Sequence, residues 1–366
     1  MFQSISQYWA RFQRNLFPLL NEEVGPLTDK QLQVATTLEV LRLESFFAHE
    51  HGPGRPPEDR VPIARAFVAK AVYNFATTTM LLDRLRCDSA LRRICGWERK
   101  NAVPSEATFS RAFAEFAAIG LGQRVHETLI MRERGDQLVG HGSSDSTAIE
   151  GREKPLKKEP KPKPEKAKKR GRPKKGEERQ SDEKKPTRLE LQLAGMSLGQ
   201  MLEDLPKAAD VGSKKNSQGY LETWRGYKFH ITAGDGEIPL SCILTSASVH
   251  DSQAALPLMK MTEGRVQHLY DVMDAAYDAK DIRLYSLMAG RVPLIDSNTR
   301  RGQKIGFAPH EARRYKVRTT VERVNARLKD EFGGRTVRVR GHAKVLNHLM
   351  FGILALTVDQ LVRLAC

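Results

Sequence analysis

Residues 150–187 constrain the fold more than any other part of the chain. They hold 16 Lys and Arg, 8 Asp and Glu and 6 prolines, and one leucine is their only sizeable apolar side chain. Such a stretch buries too little apolar surface to offset the entropy of ordering, so it is expected to be largely disordered. A packed core must therefore come from the two flanking segments, with this insert tolerated between them. The insert's net +8 is half of the chain's +16, and the pI is about 9.7. A surplus of that size points to a polyanionic partner, nucleic acid ahead of an acidic membrane surface. No stretch approaches the roughly 18 consecutive apolar residues of a spanning helix, so no membrane role is expected. The apolar run VLNHLMFGILALTVDQLVRL reads as a core-packing helix, and MFQSISQYWARFQRN lacks the apolar region of a secretory signal. Cys87, Cys95, Cys242 and Cys366 show neither zinc-type pairing nor a disulfide framework, which fits a reducing cytoplasm.

A chain of 366 residues exceeds one compact core. Residues 1–136 read as an all-helical domain. Thr28 and Gln31 have capping-box spacing, with Leu32, Ala35, Leu38 and Leu41 as the following apolar stripe. A long helical segment is expected from Pro62 to Arg86, and Ser105 caps a helix bearing Phe109, Ala112, Phe113 and Phe116. This domain suits DNA-end binding or dimerisation, and periodicity does not separate the two. The run VGHGSSDSTAI then reads as a strand carrying Asp145. After the basic insert, TWRGYKFHITA and IPLSCILTSA form a hairpin around GDGE, and AALPLMKMTEG reads as a helix capped by Asp251 or Ser252. The strand VQHLYDVMD ends at Asp274, and VPLID follows. Residues 137–149 with 210–366 thus form an α/β layer, and 150–209 the insert, which closes on an amphipathic piece with Leu198, Met201, Leu202 and Leu205.

The segment RRYKVRTTVERVNARLKDEF is the most informative. As one helix, it places Tyr315, Arg318, Glu322 and Lys329 in a single stripe about 21 Å long. Val317, Val321, Val324 and Leu328 form a second stripe through which the helix can dock. A tyrosine, two cations and a carboxylate in a line suit an extended polyanion better than a small molecule.

The spacing Tyr-x2-Arg-x3-Glu-x6-Lys resembles the signature of the DDE transposases encoded by bacterial insertion sequences, and all four residues match. MDAAYDAKDIR is similar to the family's second-aspartate motif, with Ala276 where Gly is frequent, and SSDSTAI resembles its first-aspartate motif. The segments DVGSKKNSQGYLETWRGYKFH, ILTSASVHDS and AVPSEATFSRAF are similar in kind to family segments. The resemblance implies a ribonuclease-H-like catalytic domain in which Asp145, Asp274 and Glu322 hold two Mg²⁺ ions, with Mn²⁺ as a substitute. Hard oxygen ligands suit those ions, and two of them can clamp the attacking and leaving oxygens of an in-line displacement. Water would cut at the transposon's terminal inverted repeats, and the freed 3′-OH would then attack target DNA. Tyr315, Arg318 and Lys329 would hold phosphates of the double-stranded DNA. Bringing two ends together implies a homodimer on DNA. Only 47 residues separate Asp274 from Glu322, which leaves little room for the β-rich insertion of hairpin-forming relatives.

Plainer readings stand beside these. Arg170-Gly171-Arg172-Pro173 resembles an AT-hook core for the A·T minor groove, or is a solvated basic linker. Lys214 and Lys215 line a DNA path or a solvated turn, and Trp224 packs on the sheet or stacks on a base. Asp271, three residues before Asp274, should face the opposite side of the sheet. Asp278 and Asp281 read as caps, and His230 and His250 as locally bonded. Rival functions are a domesticated DNA-binding protein, a nuclease that cuts without joining, and a structural RNA-binding protein. The last leaves three carboxylates without a purpose.

Overall fold

The computed structural model describes residues 26–47, 58–155, 186–215, 218–298 and 306–365. Arg170 and Arg172, with most of the basic insert, lie outside the described residues.

The N-terminal part is helical, as expected. Helix α1 (Asp29–Leu41) opens with the Thr28–Gln31 capping box. The expected long helix is instead two, α2 (Arg60–Val72) and α3 (Thr78–Cys87). Asn74 takes a left-handed φ of 54° between them, and the Thr77 side chain accepts the Met80 N–H to start the second. Asparagine tolerates that conformation because its short polar side chain bonds locally. The segment continues with α4 (Ser89–Cys95), α5 (Glu106–Ala118, capped by Ser105) and α6 (Leu121–Arg134).

The sheet is six-stranded and mixed. Its strands are β1 (Leu138–Glu150), β2 (Asp210–Lys215), β3 (Leu221–Gly234), β4 (Ile238–Ser246), β5 (Gln267–Met273) and β6 (Val292–Ile295). β1 lies at the centre, antiparallel to β3 on one side and parallel to β5 on the other, with β6 parallel beyond. The far edge of β3 pairs first with β2 and then with β4. Gly226 marks the exchange at φ +141°, where an added Cβ would stand 2.3 Å from Gly151 N and 2.4 Å from Ile149 O. Only glycine allows β1 and β3 to approach that closely.

Between β1 and β2, α7 (Arg188–Leu193) and α8 (Leu198–Asp204) pack on α9 (Asp251–Glu263). The part of 150–209 nearest the sheet is therefore folded, because Met201 and Leu205 find an apolar surface to cover. α9 is capped by His250 rather than by Asp251 or Ser252. α10 (Lys280–Met288) follows β5, then α11 (Pro309–Tyr315), α12 (Thr319–Glu331) and α13 (His342–Ala365).

α13 is the one helix among the described residues long and apolar enough to cross a membrane, and most of it is buried inside the protein. It packs on α2, α5 and α6 and also on β4, so one apolar core runs from Val34 in the helical part to Leu361 by way of the sheet. Gly122 lets α6 approach α13, since a Cβ there would meet Met350 Cβ at 2.6 Å. A second bridge is polar. The Arg265 guanidinium donates to Leu240 O at 2.7 Å, within 3.2 Å of His126 Nδ1, and His126 Nε2 lies 3.1 Å from Pro239 O.

Candidate active site

Strand register brings the two aspartates together. The β1–β5 ladder ends with Ser144 beside Met273, so Asp145 and Asp274 are the next residues on adjacent parallel strands. Neighbouring strands lie about 4.8 Å apart. Asp145 also pairs with Ile231 of β3, while Asp274 leaves the strand and accepts the Ala276 N–H at 2.9 Å.

Both carboxyls are raised above the usual carboxylate range. Burial pushes Asp145 up to about 7; the Ser146 N–H opposes this, Asp274 and Asp251 add to it, and Arg318 again opposes. Asp274 is raised chiefly by burial, with Asp251 and Asp296 contributing and Ala276 N–H and Arg318 opposing. Like charges gathered in low dielectric favour a neutral carboxyl unless a cation joins them. Tyr277 is fully buried beside the same three carboxylates, Asp251, Asp145 and Asp274. Its hydroxyl has no hydrogen-bond partner.

The segment carrying Glu322 is not one continuous helix. A 3-10 turn at Lys316–Arg318 separates α11 from α12. Val317, Thr319, Thr320 and Val321 are β-branched, and the Ser143 hydroxyl draws off the Val317 carbonyl at 3.3 Å. Tyr315 ends α11, its ring 4.7 Å from that of Phe307, but the backbone stays right-handed helical through the turn, and Tyr315, Arg318 and Glu322 remain within reach of one another's charge. Its phenol is pushed up to about 12 by burial, with Arg318 opposing and Asp296, Asp274 and Glu322 adding. Of the expected docking face, Val321, Val324 and Leu328 are fully buried, on a helix packed against β1 and β3, and Val317 is half-buried.

Arg318 stands at the centre of the acids. Burial works against its charge, but Glu322, Tyr315, Asp145 and Asp274 all favour it and raise its pKa. Its Nη2 donates to Glu322 Oε1 at 2.6 Å. Glu322 thus faces the arginine, and among the described residues no three His, Cys, Asp or Glu side chains gather into a metal-holding group. The donor chemistry fits a hard divalent cation all the same. Asp145 and Asp274 are adjacent, partly buried carboxyls short of positive charge, and Glu322 is held by Arg318, whose charge both aspartates also feel.

Lys329 is lowered by burial and then by the nearby charges of Lys214 and Arg335, which sets Lys214 of β2 beside α12. Lys214 and Lys215 are exposed at the strand's end, Lys214 4.0 Å from Glu222. Trp224 packs on the sheet: its Nε1 donates to Tyr227 O at 2.9 Å and its ring covers Gly212. Asp271 faces away from the site, as expected, held by His268 at 2.7 Å, Ser286 at 2.6 Å and Arg291 at 2.9 Å. Asp278 is the C-cap of the 3-10 turn Ala275–Tyr277, its backbone N–H donating to Ala275 O, while its side chain takes Arg283 and the Asn298 N–H. His230 Nε2 meets Thr245 across the hairpin, and His250 Nδ1 lies 2.9 Å from Ser252 Oγ.

Two acids beside the site are absent from the sequence-based set. Asp251 accepts from Ser146 Oγ at 2.8 Å and pairs with Lys228 at 3.0 Å. Burial alone would raise it, but His230, Lys228 and Ser146 hold it below the usual carboxylate range. Its segment, ILTSASVHDS, carried the signal, which reads locally as a helix cap. Asp296 adjoins the site through its backbone, whose N–H donates to Met273 O at 3.2 Å.

Comparison with protein families matches residues 204–358 to the transposase DDE domain and residues 25–115 to a transposase domain, DUF772. Asp274 and Glu322 fall inside the first match; Asp145 precedes it, across the insert. No curated protein and no solved structure matches the chain.

Proposed function

We propose that this chain, which carries a transposase DDE domain and a second transposase domain, is a DDE transposase of the kind encoded by bacterial insertion sequences, with Asp145, Asp274 and Glu322 as its catalytic acids. The observation that carries this reading is the adjacency of Asp145 and Asp274 on parallel strands, with Arg318 linking both to Glu322. A ribonuclease-H-like fold is the corresponding proposal for the sheet. A central first strand flanked by an antiparallel hairpin and two parallel strands supports it.

DDE transposases use divalent metal ions, and the three acids would hold two of them, Mg²⁺ or Mn²⁺. Bound there, the ions would activate water and then a 3′-OH, and stabilise charge in each displacement at phosphorus. Asp145 and Asp274 supply fixed oxygen donors, because β1 and β5 are held in register by the sheet. Glu322 joins them when Arg318 turns to a DNA phosphate, a better partner for guanidinium in that setting. Tyr315, Lys329, Lys214 and Lys215 extend the phosphate-binding path from the acids along α12 and β2. The basic insert adds sequence-independent attraction, with Arg170 and Arg172 as minor-groove contacts. Cleavage at terminal inverted repeats, strand transfer into target DNA and a homodimer on DNA complete the proposal.

The test uses purified protein and a DNA fragment spanning its own gene with flanks, in Mn²⁺ or EDTA, beside Glu322→Gln. Metal-dependent breaks with 3′-OH ends at fixed positions, absent in the variant, are the expected result. Binding without any cutting across a metal titration would sink the catalytic reading.

A further inference from the structure

A second cationic site lies away from the acids, where the helical part meets the loop before α13. A cavity of about 340 Å³ opens there, lined by Lys70 of α2, by Thr78, Glu106 and Ser110, and by Arg338, Arg340, Lys344 and His348. Lys70 is 8% exposed, yet among the described residues its ammonium has no hydrogen bond and no ion pair. With Phe67, Phe113 and Phe351 it also lines a smaller cavity. The side chains of Arg338, Arg340 and Lys344 are equally without an acidic partner among the described residues, although many other arginines here are paired. Glu106 is the one acid on the cavity wall, and it is exposed and takes the Thr79 hydroxyl at 3.2 Å.

The Lys70 stem is covered while its ammonium opens into the cavity rather than onto a protein acceptor, so an anion entering there would meet an unpaired cation. We propose that this cavity binds a backbone phosphate of duplex DNA, with Lys70 at its base and Arg338, Arg340 and Lys344 at its mouth. The size admits a phosphate with its waters, and the polar lining is cations and hydroxyls apart from Glu106 and the neutral His348, with Phe67, Phe113 and Val339 completing the wall. The surroundings favour DNA over a free anion. Arg152, at the start of the net +8 insert, donates to Arg338 O at 3.4 Å, and Glu153 accepts the Gly341 N–H at 2.7 Å. Arg152 and Glu153, at the start of that insert, therefore lie beside this cavity. Lys70 falls within the 25–115 transposase match and the other three cations within the 204–358 match. The identity of the anion rests on the transposase reading; the site itself does not.

Duplex binding by the full chain in EDTA, measured across a salt series, tests this without any chemistry. Lys70→Met keeps the apolar stem and removes an unpaired buried charge, so it should melt no lower than the parent without DNA. Lys344→Gln sits at the exposed mouth, where folding is not at stake. Each is expected to weaken binding about tenfold at low salt and to flatten the log–log salt slope by about 0.9. The loss should be equal on terminal-repeat and unrelated duplexes. Unchanged slopes in both variants, beside normal cutting, would overturn the cavity and leave the catalytic reading standing. Normal slope differences with no cutting by the parent would do the reverse. If Lys70→Met abolished a phosphate-induced rise in melting temperature while duplex binding stayed intact, the cavity would hold a free anion and the DNA assignment would fall.

Discussion

Arg318 Nη2 lies 2.6 Å from Glu322 Oε1, and the same guanidinium feels the charges of Asp145 and Asp274. One side chain thus offsets all three proposed catalytic acids in the metal-free protein.

Removing it should expose their mutual repulsion. Arg318→Ala is expected to lower metal-free stability by roughly 1–3 kcal/mol. Mn²⁺ should then raise the melting temperature of the variant more than that of the parent. Denaturation in EDTA and in Mn²⁺ checks this, and an equal metal response in both proteins would remove Arg318 from the cluster.

The aspartates should separate stability from activity. Asp145→Asn, Asp274→Asn and Glu322→Gln are expected to reduce cleavage by at least ~100-fold with duplex binding retained. Asp145→Asn should also melt higher in EDTA, since it relieves a carboxylate that burial and Asp274 disfavour. Retained cutting in any one variant excludes that residue from the site.

Asp271 is the contrasting case. It is 2% exposed and neutralises Arg291, which is 5% exposed. Asp271→Asn should cost about 1–3 kcal/mol, because the buried guanidinium is left with Glu263 at 3.2 Å as its acid partner, while the protein that remains folded keeps its cleavage chemistry. Urea titration paired with single-turnover cleavage below the transition distinguishes the two effects.

Lys70 carries a pH signature. Burial lowers its pKa from 10.5 to about 8. The unfolded chain therefore binds more protons between those values, and stability rises with pH across that window. The full effect is on the order of 3 kcal/mol. The charged groups around it are Glu106, His348, Arg338, Arg340 and Lys344, and among these burial and Lys70 itself push His348 down to about 4, so it stays neutral there. Calorimetry from pH 7.5 to 10.5 should show the rise in the parent and its absence in Lys70→Met. A parallel rise in both would mean that Lys70 is paired.

Local chemistry was legible wherever the deciding interactions are local. The Thr28–Gln31 cap, the Ser105 cap and the hairpin around GDGE all form between residues close in the chain. Side-chain alternation likewise placed Asp271 opposite Asp274, and the valine face of α12 followed from its period. The interrupted helix at Lys316–Arg318 was not legible, because the hydroxyl that draws off Val317 O comes from Ser143, far earlier in the sequence.

The sequence by itself determined the residue types of the proposed site, three acids and the Tyr-Arg-Glu-Lys spacing, together with the net +8 of the basic insert. Tertiary structure decided which of them meet. Parallel pairing of β1 with β5 set Asp145 beside Asp274 across 128 intervening residues, and packing of α9 delivered Asp251, a residue that reads locally as a cap, to the same place. Lys70 reads as one lysine on an apolar helix until α13 and the loop before it close over it. Contacts between distant segments depend on how whole faces pack, and no local pattern encodes that.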